Sequence, residues 1–458
     1  MYDLAVIGGG PGGYVAAIRA AQLGMKAVLI EKERVFGGTC LRVGCIPSKA
    51  LLQSSELYAL IVQKAQEHGI LVNDVDLQLT TMMERKSQIV EGLAKGVAGL
   101  LKRHGIDTHC GAAAFISPYA VQVGEQKIEA KHWILATGSE PMSLPFLPID
   151  ESRVLSSTGA LSLSAIPKKM LVIGAGVIGV ELASVYSRLG SEVTVIEMLD
   201  HICPGMDRTI GKSLLHVLRK QGIAFHLGAR VTEAKINQDA IALSVDIPEG
   251  ELQEWSADAV LVAIGRRPYS KGLELEAAGI SATAQGFVPV DQNFRTVQPH
   301  IFAIGDLIEG PMLAHRASDE GAAVAAFIAG IHCKVNYMAI PNVIYTYPEA
   351  AAVGLTEEEA NNLGLPIQIG ICSLKGNPRA HCSGDTDGMV KIIGEESTGT
   401  LLGMHILGSH ASEMIGEGVM AIEKRATLQE LGNAPHAHPT LCEAIKEAAL
   451  QAQGRAIH

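Results

Sequence analysis

The feature that most constrains this chain of 458 residues is a strand, glycine turn, helix and strand pattern that occurs twice. The first copy has an apolar run at 2–7, the turn GGGPGG at 8–13, an Ala-rich segment and a second apolar run that ends at Glu31. The second copy has the turn GAGVIG at 174–179 and an apolar run that ends at Glu197. Strands and helices that alternate in this way form parallel sheets covered by helices, so the pattern predicts an α/β fold.

Each position in the repeated pattern has a physical reason. The first glycine makes a tight turn, the second lets the backbone approach a pyrophosphate, and the third lets helix and strand pack closely. The helix N-terminus faces the phosphate charge, and the terminal carboxylate accepts hydrogen bonds from ribose hydroxyls. A glycine-rich turn alone often serves chain geometry only, but two complete patterns predict two dinucleotide sites. Their residues are Gly8, Gly10, Gly13 and Glu31, and Gly174, Gly176, Gly179 and Glu197.

The residues after Glu197 indicate which nucleotide the second site prefers. A 2′-phosphate requires a nearby cation, and a carboxylate repels it. Residues 198–201 read Met-Leu-Asp-His and contain no Arg. We therefore expect NAD rather than NADP at the second site.

Two of the eight cysteines, Cys40 and Cys45, form a close pair in the stretch CLRVGC. On a regular helix their side chains point about 140° apart, at ~100° per residue. A disulfide needs Cα atoms within roughly 7 Å, so a bridge requires a distorted helix start, which the flanking glycines permit. The alternatives are a pair of buried thiols or half of a metal site, although no further metal-ligating set lies nearby in the sequence.

Residues 436–443, HAHPTLCE, hold the best candidates for proton transfer. A thiol must lose its proton before it attacks a disulfide, and histidine is suited to accept that proton near neutral pH. In the pattern of the family that this chain resembles, described below, His438 would be the base and Glu443 would orient its ring. Because Thr440-x-x-Glu443 precedes an amphipathic run, Glu443 also fits a helix-capping role, and both roles can coexist.

The order of these elements resembles the pyridine nucleotide-disulfide oxidoreductases over essentially the whole chain. CIPSK at 45–49 and GVIGVEL at 176–182 are similar to the branch that oxidises dihydrolipoyl groups with NAD⁺. The resemblance implies two Rossmann-like dinucleotide-binding domains, for FAD and NAD, and a C-terminal α+β dimerisation domain. The domain bounds predicted on this basis are 1–142 for FAD, 143–266 for NAD, 267–340 for a segment returning to the FAD domain, and 341–458 for the interface.

The resemblance also implies a role for each site residue. Cys40 would exchange with the dithiol substrate, Cys45 would lie against the flavin, and His438 with Glu443 would serve the partner subunit of a homodimer. Asp306 would hold a ribityl hydroxyl of FAD, although a turn-capping aspartate is the alternative. The other positions implied are Lys49, Ala113, Thr137, Gly138, Ser139, Met312, Leu313, Ala314 and His315 for FAD, and Glu181, Val231 and Gly265 for NAD.

The implied activity is oxidation of protein-bound dihydrolipoamide, with tightly bound FAD and with NAD as acceptor. The implied partner is a lipoyl-bearing acyltransferase of a 2-oxoacid dehydrogenase complex or a glycine-cleavage carrier protein. Another NAD(P)H-dependent disulfide reductase and a non-catalytic flavoprotein subunit remain alternatives. Three positions depart from the family pattern: Arg42 in place of Asn, Gly111-Ala112-Ala113 in place of Gly-x-Gly, and Cys442 in place of Ser.

Composition bounds the remaining possibilities. The net charge of −11 argues against nucleic-acid binding, and the sequence predicts no metal site. The apolar run at 322–331 is too short to span a bilayer and predicts a buried helix. The first strand follows Met1 directly, so we expect a cytoplasmic, bacterial protein, although a processed organellar form would look the same.

Overall fold

The computed structural model of the chain describes residues 1–248, 250 and 252–458, and it is an α/β structure as the sequence predicts. The chain divides into two compact units. The first unit consists of Met1–Leu51, Gln78–Met142 and Gly265–Val335, and the second of Leu52–Leu77, Ser143–Ile264 and Asn336–His458. Among the described residues, no helix has the length and apolar character needed to cross a membrane.

The strands are named in chain order. They are β1 (Tyr2–Ile7), β2 (Ala27–Glu31), β3 (Asp107–Cys110), β4 (Ala113–Ser117), β5 (Ala120–Val123), β6 (Gln126–Leu135), β7 (Ser139–Pro141), β8 (Val154–Leu155), β9 (Lys169–Ile173), β10 (Glu192–Glu197), β11 (Ala224–Leu227), β12 (Arg230–Ile236), β13 (Ile241–Asp246), β14 (Leu252–Ala257), β15 (Ala259–Val262), β16 (Arg266–Pro268), β17 (Ile301–Ala303), β18 (Asn342–Ile344), β19 (Glu349–Gly354), β20 (Ile367–Ser373), β21 (Met389–Glu395) and β22 (Leu401–Gly408).

The helices are named in the same way, and short 3₁₀ turns lie between them. The helices are α1 (Pro11–Gln22), α2 (Gly38–Val43), α3 (Cys45–Gln63), α4 (Leu79–Arg103), α5 (Ser157–Ala160), α6 (Val177–Arg188), α7 (Arg208–Lys220), α8 (Ala314–Ile328), α9 (Glu357–Asn362), α10 (Pro378–Ser383), α11 (Ala411–Glu423), α12 (Leu428–Asn433) and α13 (Glu443–Ala452). The 3₁₀ turns are Ala65–His68, Leu275–Ala278, Gly305–Leu307, Tyr337–Ala339 and Leu374–Gly376.

The first unit is built on a parallel sheet in the order β3-β2-β1-β6, with β17 also paired to β6. Strand β6 is long enough to belong to two arrangements, because its first half pairs antiparallel with β5, which continues to β4. The strands β1 and β2 are almost completely buried. Burial on both faces explains why their sequences are continuous apolar runs rather than alternating ones.

Helices α1 and α8 pack closely against each other in the first unit because glycines lie at their contact. A Cβ atom on Gly321 would lie 2.4 Å from the carbonyl oxygen of Gly12. A Cβ atom on Gly12 would lie 2.9 Å from the carbonyl oxygen of Ala317. Neither position has room for a side chain, so the backbones themselves form the contact. Helix α8 also covers most of the apolar run at 322–331, which confirms the prediction of a buried helix there.

The second unit contains a parallel sheet in the order β11-β10-β9-β15-β8 and a small antiparallel sheet, β12-β13-β14. Its last part forms an antiparallel sheet in the order β18-β19-β22-β21-β20. Helices α11 and α13 pack on this last sheet and bury its central strands β21 and β22. The parallel sheet carries the second glycine turn at the end of β9.

A buried group of charges joins the nucleotide-binding and C-terminal parts of the second unit. Lys391, on β21, is fully buried, and its Nζ donates to both carboxylate oxygens of Asp207, at 2.9 and 2.7 Å. It also donates to Glu357 at 2.5 Å. Burial alone raises the pKa of Asp207, but Lys391 and other neighbours outweigh it and hold that pKa below its usual value. Asp207 also accepts from the Thr209 amide as the N-cap of α7.

The glycine contact between α1 and α8 predicts a difference between two substitutions. Gly321→Ala should lower the free energy of unfolding by about 1–3 kcal/mol, because the new methyl group meets backbone atoms. Gly92→Ala is the matched control, since it lies in α4 and its Cβ would meet no described atom within 4 Å. The control should be neutral or stabilise by about 0.5–1 kcal/mol. Urea unfolding followed by circular dichroism measures both, and equal effects would contradict the contact.

The buried charges predict that substitutions of Asp207 and Lys391 change the free energy of unfolding in a non-additive way. Asp207→Asn should destabilise the second unit by about 3–5 kcal/mol, because it leaves the Lys391 ammonium in the interior without its main counter-charge. Adding Lys391→Met should restore most of that loss, since the buried cation is then gone. The same urea titrations test this cycle. A double variant no more stable than Asp207→Asn alone would show that the charge pairing is unimportant.

Candidate active site

The glycine turn after β1 has the backbone geometry that the sequence predicts. Gly8 has φ +108°, and a Cβ there would lie 2.2 Å from the carbonyl oxygen of Ala136. A Cβ on Gly13 would lie only 1.8 Å from the carbonyl oxygen of Gly8. At Gly10 the nearest atom to a Cβ is 3.8 Å away, so this glycine borders open space at the N-terminus of α1. A pyrophosphate fits such a place because backbone amides face it.

The turn after β9 repeats this geometry in the second unit. Gly174 has φ +101°, with 2.5 Å between its Cβ position and the carbonyl oxygen of Ala263. The Cβ position of Gly179 is 2.0 Å from the carbonyl oxygen of Gly174. No described atom lies within 4 Å of a Cβ on Gly176. In both turns, therefore, the first glycine makes the tight turn, the second borders open space and the third allows close packing of helix and strand.

The acidic residues at the ends of β2 and β10 are held in the same way. Glu31 accepts from the amides of Gly9, at 2.7 Å, and Glu33, at 3.0 Å. Glu197 accepts from the amides of Ala175, at 2.6 Å, and Leu199, at 2.8 Å. Each carboxylate thus binds its turn through one oxygen and the amide two residues later through the other. The remaining lone pairs of both oxygens are left for ribose hydroxyls. The turns and carboxylates fit two dinucleotides, and the assignment of FAD to the first turn and NAD to the second stays a prediction.

The cysteine pair lies where the helix is interrupted. Helix α2 ends at Val43 and α3 begins at Cys45, with Gly44 between them at φ −139° and ψ −115°. A Cβ on Gly44 would lie 2.8 Å from the carbonyl oxygen of Thr39, so a side chain there would force the backbone to shift. The distorted helix predicted from the spacing is confirmed. The two side chains lie within hydrogen-bond distance of each other.

The charge environment of Cys40 favours its thiol form. The hydrogen bond to Cys45 and burial both raise the pKa of Cys40, while the positive charge of Lys49 acts in the opposite direction. Arg42, which departs from the family pattern, forms an ion pair with Glu33 at 3.3 Å. Its Nε is buried without a hydrogen-bond partner among the described residues. The added charge is therefore partly neutralised by Glu33.

Arg266 belongs to a hydrogen-bonded chain that the sequence did not reveal. Its Nε donates to Ser139 Oγ at 2.7 Å, and its Nη2 donates to the Ser139 carbonyl at 2.6 Å. Ser139 Oγ in turn donates to Asp306 at 2.5 Å. Burial lowers the pKa of Arg266, while the charges of Asp306 and Cys45 act against that shift. The contact depends on the pairing of β7 with β16, which joins segments far apart in sequence.

The other residues predicted to bind FAD lie at element ends in the first unit. Thr137 donates from its hydroxyl to the Tyr269 carbonyl at 2.7 Å, and Gly138 has φ +73°. Ala113 is the first residue of β4. The stretch 312–315 leads into α8, which begins at Ala314. Their contacts with FAD stay predictions.

Glu181 is buried on α6 in the second unit and is tied to the C-terminal part of that unit. Its Oε1 accepts from the backbone amide of Tyr345 at 2.9 Å. This contact has no sequence signal, because any residue except proline offers an amide at position 345. Val231, also predicted at the NAD site, is buried on β12. Gly265, which has φ +118°, belongs to the first unit.

The predicted base and its carboxylate are hydrogen-bonded partners. His438 Nδ1 lies 2.9 Å from Glu443 Oε1, and the His438 side chain is 68% exposed. The other oxygen of Glu443 accepts from the Thr440 amide at 2.8 Å, while the Thr440 hydroxyl donates to the Ala437 carbonyl instead of closing a capping box. The Thr440 amide first, and then His438, lower the pKa of Glu443. Glu443 therefore holds the loop backbone and the His438 ring together.

Comparison with known families places these features in one class. Residues 2–321 match the pyridine nucleotide-disulphide oxidoreductase family, and residues 340–449 match its dimerisation domain. The chain belongs to this family. Membership assigns FAD and NAD(H) as cofactors, and the dimerisation domain supports a homodimer.

Within this family, the chain is similar over its whole length to relatives named dihydrolipoamide or dihydrolipoyl dehydrogenase. A dihydrolipoamide dehydrogenase of Chaetomium thermophilum is 48% identical over 463 residues, covering 100% of this chain and 92% of the relative. The mitochondrial dihydrolipoyl dehydrogenase of Homo sapiens is 46% identical over 466 residues, with the same coverage of 100% and 92%. Among solved structures, LpdA from Mycobacterium tuberculosis aligns with a TM-score of 0.90 at 26% identity, covering 98% of this chain and 99% of that one.

The carboxylate of Glu197 provides a test of the NAD site. Glu197→Gln replaces one acceptor oxygen with a donor, so a turn amide or a ribose hydroxyl loses its partner. We expect the KM for NAD⁺ to rise about tenfold, with unchanged flavin content measured by absorbance. Glu192→Gln, on the exposed end of the same strand, is the control. An unchanged KM for Glu197→Gln would remove this residue from the site.

Proposed function

We propose that this chain oxidises protein-bound dihydrolipoyl groups to lipoyl groups and passes the electrons to NAD⁺. The observation that carries the proposal is the pair of hydrogen-bonded thiols, Cys40 and Cys45, at a helix break beside a dinucleotide turn. The substrate is inferred from relatives named dihydrolipoyl dehydrogenase, which match the whole chain. A structural neighbour named a flavoprotein disulfide reductase, from Escherichia coli, supports the same type of chemistry at 28% identity and a TM-score of 0.87.

The proposed reaction begins with proton transfer to His438. Its exposed ring accepts a proton from one substrate thiol, while Glu443 holds the ring and stabilises its charged form. The substrate thiolate attacks the sulfur of Cys40 in the Cys40–Cys45 disulfide, and the bond between the two cysteines breaks. Cys45 leaves as a thiolate and takes the proton of the second substrate thiol. That thiolate attacks the substrate sulfur of the mixed disulfide, Cys40 leaves as a thiolate, and the protonated His438 returns its proton to it. Oxidised lipoyl leaves, and the two cysteines remain as the reduced pair.

The reduced pair must then be reoxidised. FAD, when bound, supplies the two-electron chemistry that links the dithiol to NAD⁺. The first-unit residues that would hold it are the glycine turn, Glu31 and the Ser139–Asp306 pair. Lys49 carries a positive charge near Cys40 that opposes the rise in the pKa of that thiol. The hydrogen bond to Cys45 and burial outweigh this effect, so Cys40 remains a thiol in the reduced pair.

The proposed partners follow from the same inference. His438 would act on the disulfide of the second chain in a homodimer, as the family resemblance implies. A lipoyl-bearing acyltransferase of a 2-oxoacid dehydrogenase complex, or a glycine-cleavage carrier protein, would present the substrate. A cytoplasmic location remains a prediction. The two dihydrolipoyl dehydrogenase relatives named above come from eukaryotes, so they give no support to a bacterial origin.

A paired assay of the purified dimer tests the proposal. One arm measures NAD⁺ reduction by dihydrolipoamide, and the other measures NADPH oxidation with glutathione disulfide. We expect rapid NADH formation in the first and no turnover in the second. If the protein holds FAD and dimerises but does not oxidise dihydrolipoamide, it still belongs to the family, and the proposed substrate is wrong. Activity with glutathione disulfide would favour a different disulfide reductase.

Single-cysteine variants test the disulfide chemistry. Cys45→Ser should retain FAD, because the glycine turn and Glu31 are unchanged, but lose dihydrolipoamide turnover by more than about a hundredfold. Cys382→Ser, at an exposed cysteine of α10, is the control and should keep full activity. Turnover and flavin absorbance are measured on the same samples. Normal turnover of Cys45→Ser would exclude the proposed exchange.

A further inference from the structure

A second histidine lies two positions before the predicted base and is held much more tightly. The His436 side chain is 7% exposed, whereas that of His438 is 68% exposed. His436 Nε2 lies 3.0 Å from Glu417 Oε1, and its Nδ1 lies 3.1 Å from the Ala434 carbonyl oxygen. Glu417 belongs to α11, so the contact fixes the loop before α13 to a neighbouring helix.

Both ring nitrogens of His436 therefore face acceptor oxygens. A neutral imidazole has a single N–H and satisfies only one of them, whereas an imidazolium donates to both at once. Glu417 is about one-third exposed, and its carboxylate lies beside the ring. The two contacts thus fit a His436 ring that donates to the Ala434 carbonyl and to the Glu417 carboxylate at once.

The surroundings of this pair alternate in charge. Glu443 faces His438 and His436, and both lower its pKa after the stronger effect of the Thr440 amide. Cys442 faces Glu417, and burial first and then that carboxylate raise the pKa of its thiol. The charges that face His436 from α11 and α13 are thus Glu417 and Glu443. The base His438 lies at the outer end of this row.

We propose that Glu417 and His436 form a second dyad that positions the His438–Glu443 dyad and supplies a fixed positive charge behind it. This inference rests on the proposed role of His438 as the base. The cation attracts Glu443 and holds its carboxylate in the loop. It also repels a second positive charge on His438.

The proposal predicts the direction of a pH shift. Without the His436 cation, protonated His438 is less disfavoured and loses its proton at higher pH. In His436→Gln, the acid limb of kcat/KM for dihydrolipoamide should therefore move upward by about half a pH unit. Glu417→Gln should shift it in the same direction, because His436 then loses the partner that favours its charged form. The double variant should shift no further than His436→Gln alone.

The test is a pH profile of the FAD-loaded dimer between about pH 5.5 and 8.5, around the ordinary histidine range. Glu413→Gln is the matched control, since Glu413 lies on the same helix and is exposed, whereas the ion pair of His436 described here is with Glu417. Its profile should match the unmodified protein. If His436→Gln and Glu417→Gln lower the thermal stability but leave the pH profile of kcat/KM unshifted, the pair is only a structural contact. Additive shifts would show that they do not act as one dyad.

A readout without turnover separates this inference from the proposed function. In ¹⁵N-histidine NMR of the FAD-loaded dimer, both ring nitrogens of His436 should stay protonated at neutral pH, and Glu417→Gln should make that ring neutral. A neutral His436 in the unmodified protein would overturn the second dyad, whatever the substrate. If both His436 nitrogens are protonated but dihydrolipoamide is not oxidised, the charge pair between His436 and Glu417 is confirmed. Its role in positioning His438 is then wrong, together with the proposed function.

Discussion

The structure depends on backbone contacts that exclude every side chain at two equivalent places. In each dinucleotide turn, the third glycine lies so close to the carbonyl oxygen of the first that a Cβ would be 1.8 Å from it at Gly13 and 2.0 Å at Gly179. This contact draws the start of each helix onto the end of its strand. The helix amides then point to the open edge, and the strand-end carboxylate reaches the turn. Binding geometry and fold are thus set by the same atoms.

The cysteine loop is attached to the first of these turns by glycine as well. The Gly37 amide donates to the Gly9 carbonyl at 2.8 Å, and a Cβ on Gly38 would lie 2.5 Å from the Cα of Gly10. The redox pair therefore takes its position from the nucleotide turn rather than from a separate scaffold. A further glycine, Gly44, breaks the helix between the cysteines. The loop needs only backbone contacts to place two sulfurs together next to a cofactor site.

Local features of the fold and site could be predicted from the sequence. The apolar runs that end at Glu31 and Glu197 in the sequence are strands that end at the same two residues, because apolar runs and glycine positions act within a few residues. Arg266, Glu417 and the Tyr345 amide could not be found in this way. Each meets its partner through pairing or packing of distant segments, and an arginine, a glutamate or an amide at one position carries no mark of that partner. The roles of the site residues and the domain bounds remain predictions.

The buried Lys391 group has a consequence for how parts of such proteins can be exchanged. Its ammonium comes from the C-terminal sheet, whereas its main counter-charge, Asp207, also begins a helix of the nucleotide-binding part. A chimera that received its last 120 or so residues from a relative would have to keep this lysine and this aspartate together. Recombination that separated them would leave Lys391 with Glu357 alone as its counter-charge. A crossover between residues 207 and 391 is therefore expected to work only when both parents carry this lysine and this aspartate.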